Sequence, residues 1–200
     1  MPICEKDIEI MVEKRKVEKL IEISLDKYVN KTIRDYAVDF LRGIYRRETI
    51  DYCLKFLKKG SVGNQLDAIS VLRSIQGEEA IPALKEVIDR AYSEIVSTDI
   101  KQHQKDSSFV PVKAESLYYN ALMCVAEIQQ QNAIKYLIDM YKNNSLAREA
   151  IINAFKCIKK PETISALETL KNGEYGYSKE LIVKALYDMK RLLGKNRNIS

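Results

Sequence analysis

Few residues of this chain have the type and spacing that catalysis or metal binding needs. Its single histidine, His103, lies in the polar stretch STDIKQHQKDSSFVPVKA. A metal site built from imidazoles and carboxylates needs several such ligands. The four cysteines, Cys4, Cys53, Cys124 and Cys157, are far apart in sequence and lack the C-x-x-C spacing of metal sites. Gly-rich phosphate loops and Ser-His or Cys-His pairings of recognisable spacing are absent from the sequence. We therefore predict no catalytic residue, no metal and no cofactor.

Lysines and tyrosines are the remaining residues that could recognise a partner. They recur on segments that we interpret below as the second helices of repeated hairpins. The tyrosines could pack between helices with hydroxyls in water, anchor a protein partner, or join the lysines in holding a phosphate backbone. Carboxylates such as Asp51 and Asp139 on the same segments argue against a phosphate-binding groove. The candidate partner-binding residues are Tyr52, Lys55, Lys59, Lys85, Lys135, Tyr136 and Lys142.

The elements that must position these residues are amphipathic helices that repeat along the chain. An isoleucine ends one apolar stripe and is followed by a short bend and a second stripe, at Ile44, Ile75, Ile128 and Ile158. The intervals between these isoleucines are 31, 53 and 30 residues. A period near 30 with helical spacing predicts two-helix units that bury their apolar faces by stacking. The longer middle interval predicts an insertion.

Short stretches rich in glycine and asparagine interrupt the apolar stripes. They set the predicted boundaries of the helical hairpins within one repeat domain, 1–200. The N-terminal helix or helices occupy 1–29, and a C-terminal capping helix occupies 177–194. Helical hairpins occupy 31–60, 63–96, 113–143 and 145–172. The predicted core consists of Ala68, Leu72, Ile75, Ile81, Leu84, Ala121, Val125, Ile128, Leu137, Ile151, Phe155 and Ile158. These positions follow the 3.6-residue helical period.

The insertion between the second and third hairpins is predicted to be a loop over residues 97–112. It is poor in apolar residues and has no helical stripe, so it buries too little surface to order itself. Trypsin is expected to cut it at Lys101 or Lys105. Phe109 and Val110 are the candidate contacts of this mobile loop with a partner.

Two stretches of the repeat carry a family resemblance. AISVLRSIQGEEAIPAL (68–84) and, more loosely, REAIINAFKCIKKPETISAL (148–167) resemble the short HEAT repeat of phycobilisome-lyase-type proteins. The resemblance implies an all-α fold, a right-handed α-solenoid of stacked helical hairpins in the HEAT-like or armadillo-like class. It also implies a scaffold or adaptor that binds another protein through the concave face, which second helices line. Nucleic acid is the alternative partner.

The arginine position of that family is filled unevenly in this chain. The residues there are Arg34, Gln65, Tyr118, Arg148 and Lys179, of which only two are arginine. We therefore expect no continuous polar ladder at this position between repeats.

Composition and charge restrict the class of protein further. Hydrophobic residues make up 46% and charged residues 30% of the chain, as in folded proteins. No apolar run approaches the roughly 20 residues of a membrane-spanning helix, so no membrane partner is predicted. The net charge of +5 is mild and does not demand a nucleic-acid partner. The N-terminal segment mixes both charges, and with unpaired cysteines this predicts a cytoplasmic protein.

Overall fold

The computed structural model describes residues 3–102 and 112–195, and the regular structure in those ranges is helical throughout, without strands. Helix accounts for 85% of the structure, which confirms the predicted all-α class. The helices are α1 (Glu5–Glu13), α2 (Val17–Leu25), α3 (Lys31–Arg42), α4 (Arg46–Lys59), α5 (Val62–Ile75), α6 (Ile81–Gln102), α7 (Val112–Gln129), α8 (Ala133–Asn143), α9 (Arg148–Cys157), α10 (Glu162–Lys171) and α11 (Gly176–Lys195). Short 3-10 turns precede α6, α8 and α9.

The chain divides into two compact units, Met1–Val87 and Ile88–Ser200. The sequence analysis treated residues 1–200 as one repeat domain. A repeat array can divide in this way because each repeat contacts only its neighbours.

In the first unit, helices pack across the boundaries between the predicted hairpins as well as within them. The most extensive contacts join α4 to α5 and α2 to α3, and α3 also packs on α1 and α5. Only Gly60 and Ser61 separate α4 from α5. The Gly60 amide donates to the Phe56 carbonyl at 2.7 Å, and a Cβ on Gly60 would lie 2.6 Å from that oxygen. The tight connection therefore requires glycine and holds α5 against α4.

In the second unit, the first helices of successive hairpins form one layer. α7 packs on α9 and α9 on α11, while α10 packs on α11. Arg148, at the family's arginine position, donates to Glu174 at 2.9 Å, and its guanidinium carbon lies 5.0 Å from the centre of the Tyr141 ring. This is a local contact within the unit.

The core matches the periodic positions read from the sequence. All twelve predicted core residues are buried, and Leu72, Ile75, Leu84 and Phe155 have no exposed surface. The register of the helical stripes is therefore confirmed at these positions. Ile44, which was predicted to end the first stripe, is instead 69% exposed, and the adjacent Tyr45 is buried.

Two ion pairs at the bends of the first unit form a polar ladder that was not predicted from the sequence. Arg15 pairs with Glu48 at 3.1 Å, and Arg46 pairs with Glu79 at 2.9 Å. Both members of the second pair lie 31 residues beyond those of the first, so the contact follows the repeat. The Arg46 guanidinium also donates to the carbonyls of Ile75 and Gln76 at 2.9 Å. Arg46 thus satisfies carbonyl groups at the C-terminal end of α5, which lack partners within that helix.

Replacing Arg46 by methionine should lower the free energy of unfolding by about 1–2 kcal/mol, because charge-assisted bonds to two carbonyls and one carboxylate are lost. Urea denaturation followed by circular dichroism would measure the change. Arg47→Met is the matched control, since Arg47 is exposed and its loss should change stability by less than about 0.5 kcal/mol. Equal effects of the two substitutions would show that the Arg46 bonds do not stabilise the bend.

α6 is longer than predicted, which corrects the start of the insertion. Residues 97–102 were assigned to the loop, but α6 continues to Gln102. The apolar stripe runs to the end of the predicted hairpin, where Ile95 and Val96 are half-buried, and Thr98 and Asp99 are half-buried beyond it. The hydroxyls of Ser97 and Thr98 donate to the Glu94 carbonyl at 2.9 Å, which is compatible with helix. α7 begins at Val112. Lys105, Phe109 and Val110 lie outside the described residues.

Candidate functional site

Three of the predicted partner-binding residues lie together on α4. Cys53 and Leu57 are buried and fix the inner side of this helix. Tyr52, Lys55 and Lys59 are spaced i, i+3 and i+7, so they lie on one side of α4, with Tyr52 nearest to the buried residues. Tyr52 is half-buried and both lysines are exposed. Three of the seven residues predicted from the sequence are therefore neighbours on α4.

Tyr52 lies in a groove of about 290 Å³ between α2, α4 and α5. We call it the Tyr52 groove. Its ring contacts that of Phe56, with 4.7 Å between the ring centres. The residues that line it are Ile21, Glu22, Leu25, Tyr52, Cys53, Phe56, Asn64, Asp67, Ala68 and Val71. Aliphatic and aromatic side chains form most of this lining, and Glu22, Asn64 and Asp67 add polar groups.

The Tyr52 hydroxyl lies in an acidic environment. Burial raises its pKa, and nearby acidic groups raise the pKa further. Those groups are Glu18 and Glu22 on α2, the Cys53 thiol, and Asp67 on α5. Negative charge disfavours ionisation of a phenol because the product would be a second anion. The groove thus has carboxylates beside Tyr52, and the exposed Lys55 and Lys59 lie on α4 outside its lining.

These carboxylates were not predicted from the sequence. Periodicity relates residues within one helix, whereas Glu18 and Glu22 come from α2 and Asp67 from α5. The i, i+4 spacing of Glu18 and Glu22 places both on one side of α2 and was the available signal. Lys19 pairs with Glu22 at 2.6 Å at the exposed edge of this helix.

Of the seven predicted residues, only Tyr52 lines the Tyr52 groove. Lys85 is half-buried on α6 and is not among the residues that line the groove. Lys135 and Lys142 are exposed on α8, in the second unit, with the exposed Asp139 between them. Burial raises the pKa of Tyr136, whose hydroxyl oxygen is buried. Tyr136 thus packs between helices, but its hydroxyl is buried and not in water as that interpretation of the tyrosines predicted.

The second unit has its own groove, of about 280 Å³, which the sequence analysis did not find. Tyr119 and Leu146 are exposed at its edge, and Ile95 lines it from α6. Glu115 and Glu149 add two carboxylates. Leu146 lies in a short 3-10 turn, outside any helical stripe, so periodicity could not identify it.

Within the ranges 3–102 and 112–195, no three His, Cys, Asp or Glu residues are grouped as metal ligands would be. His103 falls outside these ranges. Cys4 is exposed, Cys157 is half-buried, and Cys53 and Cys124 are buried; none of the four forms a disulfide within the described residues. None of the helices, over the residues described, is both long and apolar enough to cross a bilayer.

Comparison with known proteins gives one match. Residues 65–90, which comprise nearly all of α5 and the first turns of α6, match the family described as PBS lyase HEAT-like repeat. This segment contains the stretch 68–84 on which the resemblance rested, and the resemblance to HEAT repeats is thereby confirmed. No curated protein and no solved structure matches the chain significantly.

Proposed function

Since the chain is related to the HEAT-repeat proteins through residues 65–90, we propose that it is a non-enzymatic scaffold or adaptor that binds another protein. The binding surface is the concave face that second helices line in such arrays. In the first unit, the binding site is the Tyr52 groove. Cysteines that form no disulfide within the described residues favour a reducing compartment, and we place the protein in the cytoplasm.

The observation that carries this proposal is the half-buried Tyr52–Phe56 pair in a groove with an apolar lining. Tyrosine is enriched among the residues that dominate binding energy, because it buries a large apolar ring while its hydroxyl meets a polar partner. A partner segment that inserts an apolar side chain beside Tyr52 would remove this lining from water. Lys55 and Lys59 would then meet acidic side chains at the edge of the contact.

The charges around the groove favour a protein partner over nucleic acid. Glu18, Glu22 and Asp67 lie close enough to raise the pKa of Tyr52. A phosphate backbone approaching Tyr52 would meet these carboxylates at short range, and such repulsion opposes binding. On α8, the exposed Asp139 lies between Lys135 and Lys142 and weakens the same interaction. We therefore propose a protein partner, and the nuclease treatment in the experiment below tests for nucleic acid.

The test uses a photo-crosslinking amino acid at position 55, which is exposed and one turn from Tyr52. Full-length protein is irradiated in nuclease-treated cell extract, and the crosslinked protein is identified and purified for titration. We expect Tyr52→Ala to weaken its binding at least about tenfold, as for an anchoring tyrosine. The pair Lys55→Glu with Lys59→Glu should weaken binding and reduce its dependence on salt.

Two control variants test whether the loss of binding is specific to the Tyr52 groove and its neighbouring lysines. Tyr28→Ala removes a tyrosine that is 87% exposed and does not line the groove. The pair Lys159→Glu with Lys160→Glu makes the same charge change at exposed positions of the second unit. Neither control should alter binding. Loss of all crosslinks with nuclease would favour nucleic acid, and unchanged binding by the Tyr52 and lysine variants would reject the groove as the site.

A further inference from the structure

Leu146 exposes an apolar side chain at the edge of the groove in the second unit. It is 52% exposed, and Tyr119, which also lines this groove, is 42% exposed. The groove has a volume of about 280 Å³, and its lining includes Ile95, Glu115, Tyr119, Leu146 and Glu149. We call it the Leu146 groove. Exposed apolar surface in a groove with a polar edge is typical of a site where a partner docks.

The short turn that carries Leu146 is held in place by buried contacts. Asn144 is buried, and its side-chain amide donates to the Tyr118 hydroxyl at 3.5 Å. The buried Ala147 donates its backbone amide to the Asn144 carbonyl at 3.2 Å. The backbone of Leu146 forms a hydrogen bond with the Tyr92 hydroxyl of α6. The fold therefore holds Leu146 outward, and a partner need not order this turn in order to bind it.

Two carboxylates give the Leu146 groove a negative charge. Glu115 of α7 and Glu149 of α9 are both exposed, and neither forms an ion pair with a described residue. Glu149 accepts a hydrogen bond from the Tyr177 hydroxyl at 3.5 Å, which leaves its charge in place. Asp99 lies one turn beyond Ile95 on the same side of α6 and adds an acidic residue at that end.

Among the described residues, no lysine or arginine lines the Leu146 groove. Arg148 and Lys156 of α9 form ion pairs, at 2.9 and 3.4 Å, with acidic residues outside this lining. Lys142 and Lys184 are exposed but line other surfaces of the second unit. On α6 and α7, two further cations lie about 140–160° around the helix from the groove residue nearest in sequence. These two cations are Arg90 and Lys113.

We propose that the Leu146 groove binds a protein segment in which a large apolar side chain lies within one helical turn of a lysine or arginine. The apolar side chain packs on Leu146, Tyr119 and Ile95. The cation lies beside Glu115 and Glu149, and the aliphatic stem of lysine or arginine adds apolar contact. Charge complementarity of this kind selects a basic segment over an acidic one.

The charge of the whole chain makes this binding local. The chain has a net charge of +5, so its overall field repels a basic segment. A basic segment therefore binds this chain only where carboxylates outnumber cations, as they do in the Leu146 groove. This surface is additional to the proposed Tyr52 groove, because it is lined by α6, α7 and α9 of the second unit.

Short random peptides displayed on phage are the probe for the first experiment. They are selected on the full chain, and peptides that also bind the variant Leu146→Lys are discarded. Leu146 is half exposed, so this variant should keep the fold, which circular dichroism would verify. We expect the remaining peptides to combine leucine, phenylalanine or tryptophan with a nearby lysine or arginine. Enrichment of acidic peptides, or no peptide specific to the parent, would overturn the proposal.

Titration of one selected peptide, labelled with fluorescein, then tests the two parts of the groove. Leu146→Ala should weaken binding at least about fivefold, as for an apolar anchor. Glu115→Gln with Glu149→Gln should also weaken binding about fivefold at low salt, because two charge contacts are lost. Added salt should weaken binding by the parent more than binding by this double variant, because salt screens exposed charges. Unchanged affinity in both variants would reject the groove as the site.

Control variants separate this site from other acidic surfaces. Glu162→Gln with Glu180→Gln removes two exposed carboxylates that do not line the groove. Tyr52→Ala alters the groove of the first unit. Neither change should affect peptide binding, and an equal loss in either would overturn the proposal.

Other occupants of the Leu146 groove would give different results. Self-association of the parent that Leu146→Lys abolishes would assign the groove to a second copy. Peptide binding that appears only after deletion of residues 104–109 would assign it to that segment of the chain. Either result would overturn the proposal of a basic partner.

Discussion

Replacing Leu72 by alanine should lower the free energy of unfolding by about 2–5 kcal/mol. Leu72 is fully buried in α5, and its backbone carbonyl accepts the Gly77 amide at 2.9 Å where the chain leaves the helix. A Cβ added at Gly77 would lie only 2.9 Å from Leu72 Cδ2, which shows how closely the bend packs on this side chain. Truncation therefore leaves a cavity beneath the bend. Urea denaturation followed by circular dichroism measures the loss.

Leu146→Ala is the matched control for this substitution. Leu146 is 52% exposed, so the same truncation removes little buried surface and should change stability by less than about 1 kcal/mol. If Leu72→Ala unfolds at the same urea concentration as the parent, the bend does not depend on this side chain. The packing of α5 described above would then be wrong.

The repeat made much of this fold predictable. A helix that packs on one side places apolar residues at the 3.6-residue period, and a stacked hairpin repeats that pattern after about 30 residues. Ile75, Ile128 and Ile158 each end such a stripe, and all are buried. The boundaries of α3, α4 and α8 lie within about two residues of the predicted hairpin limits, because glycine, asparagine and short polar runs interrupt the pattern there.

The candidate site was only partly predictable, because apolar periodicity identifies the sides of a single helix and not the packing between helices. It placed Tyr52, Lys55 and Lys59 on one side of α4. It could not show that Glu18 of α2 and Asp67 of α5 converge on Tyr52, since that depends on how three helices cross.

Tyr136 shows that the role of a residue on a single helix was also hard to predict. Lys135 and Tyr136 are adjacent in sequence and lie about 100° apart around α8. The lysine is exposed, whereas the tyrosine hydroxyl is buried. Residue type alone could not distinguish a tyrosine that binds a partner from one that packs.

Stability should fall steeply between about pH 9 and 12, because the fold buries groups in their protonated forms. Burial raises the pKa of the Cys53 thiol from 9.0 to about 12, and that of the Tyr118 hydroxyl from 10.0 to about 12. The folded state therefore holds these protons more tightly than the unfolded state. The resulting stability is complete below the unfolded-state pKa and is lost as pH rises through the folded-state pKa. Each pKa unit corresponds to about 1.4 kcal/mol, so the total loss is several kcal/mol.

The variant Tyr118→Phe separates the contribution of Tyr118 to the loss of stability at high pH from the contributions of other titrating groups. The ring remains in place, and the variant loses only the titrating hydroxyl and its long contact with Asn144 at 3.5 Å. Urea denaturation at successive pH values should show a shallower alkaline decline for this variant, by about 2–3 kcal/mol at pH 12. Tyr187→Phe is the control, because Tyr187 is 67% exposed and should leave the decline unchanged. A flat profile for the parent from pH 8 to 11, or identical declines for parent and Tyr118→Phe, would contradict the buried protonated tyrosine. Cys53 lies in the first unit and Tyr118 in the second. Both units should therefore lose stability at alkaline pH.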